Sequence, residues 1–415
     1  MSTVDPEILS LNPFEPGYFA DPYAQYAGVR ETSPVHQSLL GPWVLFGHDD
    51  VLRVLRDPSL SVEEHNAAAN PLSEAMRAQL EEITGDPAMD RNRSMLDLDP
   101  PDHDRLRRLV AKAFNPAMVR SLVPRIEALV DEALDGMAGR DERADVIKDL
   151  AFPLPFTVIS EMLGMPDGDR DRLRDWSHAM VKTLDPVISP EEVRAAFDAS
   201  NLMIEHIRAA IDEKRHKPAD DLLTQLTVAE DEGDVLTEDE LIAQVALLYI
   251  AGHETTVNLI GNGTFALLRH PDQLERLRAD PSLDEHAIEE LLRFDSPVQF
   301  SRRITVAPLE VRDVTIDAGV FVLTCLGSAN RDPEFWGPTA DDLDLGREGA
   351  AQHVSFGSGV HHCLGAALAR VEARVAIPTL VRRFPELALA DPGAEPAWNG
   401  RIVLRGLDRL PVTLG

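Results

Sequence analysis

Apolar residues recur at helical spacing along most of this chain. Positions i, i+3, i+4 and i+7 are apolar through roughly 103–114, 117–137, 145–164, 191–215, 219–229, 238–269, 284–295 and 364–383, which predicts a helix over each. Strand-like runs are short and lie near the ends, at 35–47, at 304–326 and from Ile402 onward. The expected class is mainly α with small β-sheets, an α+β arrangement. No repeat or low-complexity linker interrupts the pattern, so residues 1–415 are read as one domain. The acidic stretch AEDEGD at 229–234 is expected to join two helices.

One predicted helix is unusual. Thr237 and Glu240 make a capping box, and nothing halts the period until Pro271. The helix is therefore about 32 residues and about 48 Å long. Its middle, LLYIAGHETTVNLIG, places Glu254, Thr255 and Thr256 in an apolar stretch. A buried acid beside a buried alcohol is costly unless each finds a partner. A structural role would bond Thr255 back to Ala251 and Glu254 to a cation; a chemical role would be proton transfer. Farther on, Pro378 is expected to kink the 364–383 helix.

Charge narrows the function. A net charge of −31, from 71 acidic and 40 basic residues, argues against nucleic acid as a partner. Against that background Arg105, Arg108 and Lys112 cluster with His103 and Arg107, and Arg370 and Arg374 stand one helical turn apart. These are either solvated helix faces or a basic dock on an acidic protein. The opening MSTVDPEILSLNPFEPG has no basic end followed by an apolar stretch, and no run of about 18 apolar residues occurs, so neither export signal nor membrane span is expected and the protein is read as cytoplasmic. The two cysteines form no disulfide framework, and Cys325, in GVFVLTCLGSAN, is expected in the core.

Cys363 is different. It ends the loop FGSGVHHCLG and enters an apolar helix, where backbone N–H groups and the helix dipole favour a thiolate and glycines admit a flat cofactor. A zinc site at His361, His362 and Cys363 fails on spacing, because adjacent residues rarely chelate one tetrahedral ion. The loop resembles the haem-binding loop of the cytochrome P450 family, Phe-Gly-x-Gly-x-His/Arg-x-Cys-x-Gly, with Phe356, Gly357, Gly359, His361, Cys363 and Gly365 at the specified places. Further segments agree in family order: Ala251, Gly252, Glu254 and Thr255 match the distal-helix motif, and Glu290 and Arg293, in EELLR, match its Glu-x-x-Arg.

The resemblance implies a cytochrome P450 fold, with a long central helix over a haem b and the cysteine loop beneath it. Cys363 would be the axial ligand, Gly252 would leave room for O2, Thr255 would hydrogen-bond iron-bound oxygen, and Glu254 would relay protons. Arg347 would complete a structural network with Glu290 and Arg293, while His103, Arg107, Arg303 and His361 would hold the haem propionates. The implied activity is monooxygenation of a lipophilic small molecule by a soluble bacterial enzyme, a monomer, with electrons from a ferredoxin and its NAD(P)H-dependent reductase docking at Arg105, Arg108, Lys112, Arg370 and Arg374. Leu247, Ile250, Val298, Gln299, Phe300 and Ile402, with the 62–95 loop, are the expected pocket wall. A peroxide-driven peroxygenase and a non-catalytic haem sensor are the alternatives; neither would need the Glu254–Thr255 pair.

Overall fold

The computed structural model describes residues 11–38, 41–68, 81–83, 85, 93–139, 143–165, 170–231 and 233–415. The main helices are α1 (Pro22–Thr32), α2 (His48–Arg56), α3 (Asp102–Ala113), α4 (Pro116–Ala138), α5 (Pro153–Leu163), α6 (Arg170–Val181), α7 (Pro190–His216), α8 (Leu222–Thr227), α9 (Glu238–Arg269), α10 (Pro271–Ala279), α11 (Asp284–Phe294) and α12 (Ala366–Arg383). The strands are β1 (Val35–Gln37), β2 (Trp43–Leu45), β3 (Leu60–Ser61), β4 (Arg143–Asp145), β5 (Glu230–Asp231), β6 (Asp234–Val235), β7 (Phe300–Thr305), β8 (Leu309–Val311), β9 (Val314–Ile316), β10 (Phe321–Cys325), β11 (Ala388–Leu389), β12 (Ala397–Trp398), β13 (Leu407–Arg409) and β14 (Pro411–Thr413). The described residues form two compact units, one drawn from Met1–Ala67, Ile126–Leu154 and Thr255–Gly415, the other from Ala68–Arg125 and Pro155–Glu254.

The first unit holds most of the β structure. Its largest sheet runs β1-β2-β10-β7-β3. β10 pairs parallel with β2 and antiparallel with β7, with Val322 opposite Arg303 and Cys325 opposite Phe300. The valines and leucines of α2 pack on this sheet, so Val51, Val54 and Leu55 share a core with Leu45, Val322 and Val354. Tyr18, Tyr23, Tyr26, Phe46 and Phe300 form a second cluster around Cys325, whose thiol burial pushes far above its ordinary range. Cys325 is a core residue, as its apolar surroundings predict.

Among its described residues the second unit is helical apart from the β5–β6 ribbon, which occupies the acidic stretch read as a plain connection. Ser189 and Glu192 close a capping box at the start of α7. Thr237 and Glu240 close the one at the start of α9: Glu240 Oε2 accepts from the Thr237 N–H at 2.8 Å and Thr237 Oγ1 from the Glu240 N–H at 3.3 Å. α9 then runs for the 32 residues its pattern predicts.

Elsewhere the boundaries move. The helix predicted over 145–164 starts two residues late, after β4 ends at Asp145, and opens with a π-helical turn at Ile147–Ala151 before α5. Asp145 is the cause, because its carboxylate accepts from the backbone N–H groups of Ile147 and Leu410, each at 3.0 Å. Pro153 and Pro155 then fit only the first turn of the helix that follows. The 304–326 run starts earlier, at Phe300, and is split by the β8–β9 ribbon. α1, α2, α6 and α10 lie outside the helices read from periodicity; α6, for example, is highly charged and buries only Leu173, Ser177 and Val181. Among the described residues no helix is long and apolar enough to cross a membrane.

Candidate active site

The cysteine loop is shaped by two left-handed glycines, Gly357 (φ +67°) and Gly359 (φ +72°). A Cβ on Gly359 would also lie 2.5 Å from the Leu55 carbonyl oxygen, so both backbone angle and space demand glycine there. The loop closes when the Cys363 N–H donates to the Phe356 carbonyl at 2.9 Å. Gly359–His361 makes a single 3₁₀ turn and Gly365 caps α12. Cys363 thus stands just before the first turn of an 18-residue helix, where unpaired N–H groups stabilise negative charge. Among the described residues no group of His, Cys, Asp and Glu is arranged to hold a metal ion by side-chain clustering.

A buried charge network ties this loop to α11. Glu290 and Arg293 are fully buried, and Arg293 donates from Nε at 2.7 Å and Nη2 at 2.8 Å to the Glu290 carboxylate. Arg347 adds Nε to Glu290 at 3.2 Å and Nη2 to the Thr339 carbonyl at 2.6 Å. Arg293 spends its remaining donors on the carbonyls of Asn330, Ala340 and Asp342. Asn330 in turn accepts from the Val354 N–H at 2.8 Å, two residues before Phe356. Burial works against the Arg293 charge, and Glu290 opposes that effect.

The middle of α9 carries the acid–alcohol pair. Glu254 is buried and its carboxylate lies 3.3 Å from Nδ1 of His178, on α6, and 3.8 Å from Nε2 of His253. His253 is fully buried, and burial holds its imidazole below the ordinary range. Thr255 is half-buried and Ala251 exposed. Gly252 meets Ile159 of α5: a Cβ there would come within 3.1 Å of Ile159 Cδ1, which is a packing reason for glycine. One turn-adjacent group was not legible in the sequence. Glu372 of α12 is 1% exposed; its carboxyl accepts no well-formed hydrogen bond among the described residues, and burial pushes it up to about 8 against the weak opposing effect of the Thr256 hydroxyl. Neither His178 nor Glu372 sits in a motif, so no local signal marks them.

The cations proposed for a haem's carboxylates divide between the units. His103 is buried on α3 with Nδ1 2.8 Å from Asp104, and Arg107 follows one turn on, half-buried. Arg303 is buried on β7, donating to the Arg302 carbonyl at 2.7 Å and, more weakly, to that of Leu55 at 3.4 Å. Arg302 instead pairs with Glu64 at the surface. His361 is half-buried in the cysteine loop.

Of the cations read as a dock, three have acidic partners in the structure. Arg105 pairs with Glu240 and Asp234, Arg370 with Glu289, and Arg374 with Glu285. Arg108 and Lys112 are exposed. Of the expected pocket wall, Leu247, Ile250, Val298 and Ile402 are half-buried. Gln299 and Phe300, read for the same wall, are buried: Gln299 donates to the Ser296 carbonyl at 2.7 Å and the Tyr23 hydroxyl at 3.1 Å, and Phe300 packs edge-on to Tyr26 at 5.8 Å. Both belong to the interior of the first unit, because an amide inside a core turns to its nearest polar partners. Much of the 62–95 loop, namely 69–80, 84 and 86–92, lies outside the described residues.

The cytochrome P450 family model matches residues 73–393. Cytochrome P450 107B1 of Saccharopolyspora erythraea is 43% identical over 99% of this chain and 99% of its own length. Vitamin D(3) 25-hydroxylase of Pseudonocardia autotrophica is 42% identical over 97% of this chain and 96% of its own. Among solved structures, the myxobacterial cytochrome P450 CYP267B1 in complex with myristic acid superposes with a TM-score of 0.87 at 38% identity, covering 97% of this chain and 98% of that one. Likeness of this extent, in sequence and in fold together, makes the chain a member of the cytochrome P450 family, the haem-thiolate monooxygenases.

Proposed function

We propose that Cys363 is the axial thiolate of this monooxygenase, that Glu254 and Thr255 serve its distal side, and that its substrate is a lipophilic small molecule. The observation that carries the reading is the closed loop in which the Cys363 N–H is tied to the Phe356 carbonyl at the head of α12. The residues suit a haem. A thiolate donor stands at a helix N-terminus, and the buried guanidinium of Arg303 has carbonyl oxygens around it and suits a carboxylate. His361, His103 and Arg107 are the further candidates for the propionates.

Haem b, when bound, supplies the iron at which O2 is activated, and a thiolate ligand favours cleavage of the O–O bond. The protein's own residues position and protonate. Cys363 is kept anionic by the helix head. Thr255 offers a hydroxyl that donates and accepts on the distal face. Glu254 touches His178, whose side chain is 42% exposed, so this carboxylate connects the interior of α9 to solvent and can pass protons inward. Electrons come from a ferredoxin with an NAD(P)H-dependent reductase, drawn to the cationic cluster of Arg105, Arg108, Lys112, Arg370 and Arg374 on an otherwise acidic protein. The half-buried Leu247, Ile250, Val298 and Ile402 favour an apolar substrate, in keeping with a relative that hydroxylates vitamin D3 and a similar structure that binds myristic acid.

The test is the spectrum of the reduced protein under carbon monoxide, beside Cys363→Ser. A strongly red-shifted Soret band that the variant lacks is expected; the same band in both would remove Cys363 from the iron. Titration of the ferric protein with fatty acids and secosteroids should then displace the ligand water and shift the Soret band to the blue. Polar sugars should leave it unmoved.

A further inference from the structure

Arg370 lies seven residues beyond Cys363, in the second turn of α12, and its contacts are inward as well as at the surface. Its guanidinium grips Glu289 of α11 bidentately, Nε to Oε1 at 2.6 Å and Nη2 to Oε2 at 2.9 Å. The same guanidinium lies 4.5 Å from the ring centroid of Phe356, stacked as a cation on the residue that opens the cysteine loop. Glu289 has a second partner. His353 Nε2 is 3.2 Å from Oε2, and because His353 Nδ1 accepts from the Ser355 N–H at 3.1 Å, the imidazole carries its proton on Nε2 and donates it to the carboxylate. The His353 ring lies 5.7 Å from that of Phe356, tilted to it. Phe356 is also the residue whose carbonyl receives the Cys363 N–H.

We propose that Glu289 and Arg370 form a clamp beneath Phe356 that holds the cysteine loop in its ligating geometry, so that Arg370 acts as a positioning residue for the thiolate and not chiefly as a docking cation. This rests on the reading of Cys363 as the iron ligand. Neither residue belongs to the neighbouring Glu290–Arg293–Arg347 network, which reaches the loop through Asn330 and Val354 instead. The clamp is built for geometry: a bidentate fork fixes the plane of the guanidinium, and a fixed plane fixes the ring above it. Glu289, already a carboxylate held low at about 2 despite the opposing effect of burial, keeps its charge throughout the working pH range.

The experiment follows the reduced carbon monoxide complex of the haem-loaded wild type, Glu289→Gln, Arg370→Lys and Arg370→Gln under mild denaturant. The red-shifted Soret band should decay to the band of a lost thiolate roughly five-fold faster or more in each variant, the size of losing about 1 kcal/mol of restraint. Arg370→Lys keeps the charge at a partly exposed position, so it remains informative where Glu289→Gln folds poorly. Glu289→Gln discriminates further: were Arg370 only a docking cation, freeing it from its carboxylate would leave reduction by ferredoxin at least as fast, with an intact band. Variants whose band decays at the wild-type rate, whatever their melting temperature or the salt dependence of their reduction, overturn the clamp alone. A wild type with no red-shifted band would overturn the Cys363 reading and the clamp together.

Discussion

Two glutamates show how the same side chain acquires opposite behaviour from its surroundings. Glu372 is buried with little to stabilise its anion, so it keeps its proton up to about 8, against an ordinary glutamate value of 4.5. Between those values the folded chain binds a proton that the unfolded chain has released. Stability from this group is therefore full below about 4.5 and is lost as pH rises through about 8. The loss amounts to about 5 kcal/mol at most, at roughly 1.4 kcal/mol per pH unit. Glu372→Gln should flatten that slope and raise the urea midpoint at neutral pH; a variant with the wild-type pH dependence would show that the carboxyl is ionised and satisfied. Glu289 behaves the other way. Its folded value of about 2 lies below 4.5, so its contribution is present above about 4.5 and disappears as pH falls through about 2. Denaturation of the wild type by acid should ease in that window, and Glu289→Gln should lose the corresponding part of the transition. None of this was readable from the chain. Cys363 announces itself because its whole environment lies within ten residues, whereas Glu372 and Thr256 are 116 residues apart and each looks like an ordinary polar interruption of an apolar helix.

At the scale of elements, legibility follows the distance over which the determining contacts act. α9 keeps its predicted ends because both signals are local: the Thr237–Glu240 box at one end and Pro271 just beyond the other. Thr237→Ala should cost about 1 kcal/mol, measured by chemical unfolding, with no change in helix content. β4 could not be read this way, since the Asp145 carboxylate that stops a helix there bonds to Leu410, 265 residues away. The Glu290–Arg293 pair is intermediate. Its i,i+3 spacing is visible, yet the same spacing is usually solvated, and only the carbonyls of Asn330, Ala340 and Asp342 make it an interior brace. Removing one partner leaves the other buried and uncompensated, so Glu290→Ala should destabilise the chain by about 3–5 kcal/mol and deplete haem from the purified protein. Retention of full haem content in that variant would show that the brace is not needed to hold the loop.

For the whole molecule the dominant electrostatic fact is the net charge of −31. Self-repulsion of this size weakens the compact state, and salt screens it, the Debye length falling from about 30 Å at 0.01 M to about 8 Å at 0.15 M. The melting temperature should therefore rise over that range of sodium chloride. A flat response would mean that the local ion pairs, such as Arg105 with Glu240, already offset the repulsion. The same pairs show what a sequence count leaves out: charge can be summed along a chain, but pairing cannot.

The first unit is stitched from three separated stretches of chain, and its small sheet places β14 between β11 and β4, with Val412 opposite Ala144. During synthesis β4 emerges from the ribosome more than 260 residues before its partner strand. The N-terminal third of the protein must therefore wait, with a sheet edge open, for nearly the last strand to arrive. At ribosomal rates of about 5–20 residues per second that interval is on the order of ten seconds to a minute, the period in which a nascent chain is most exposed to misassociation.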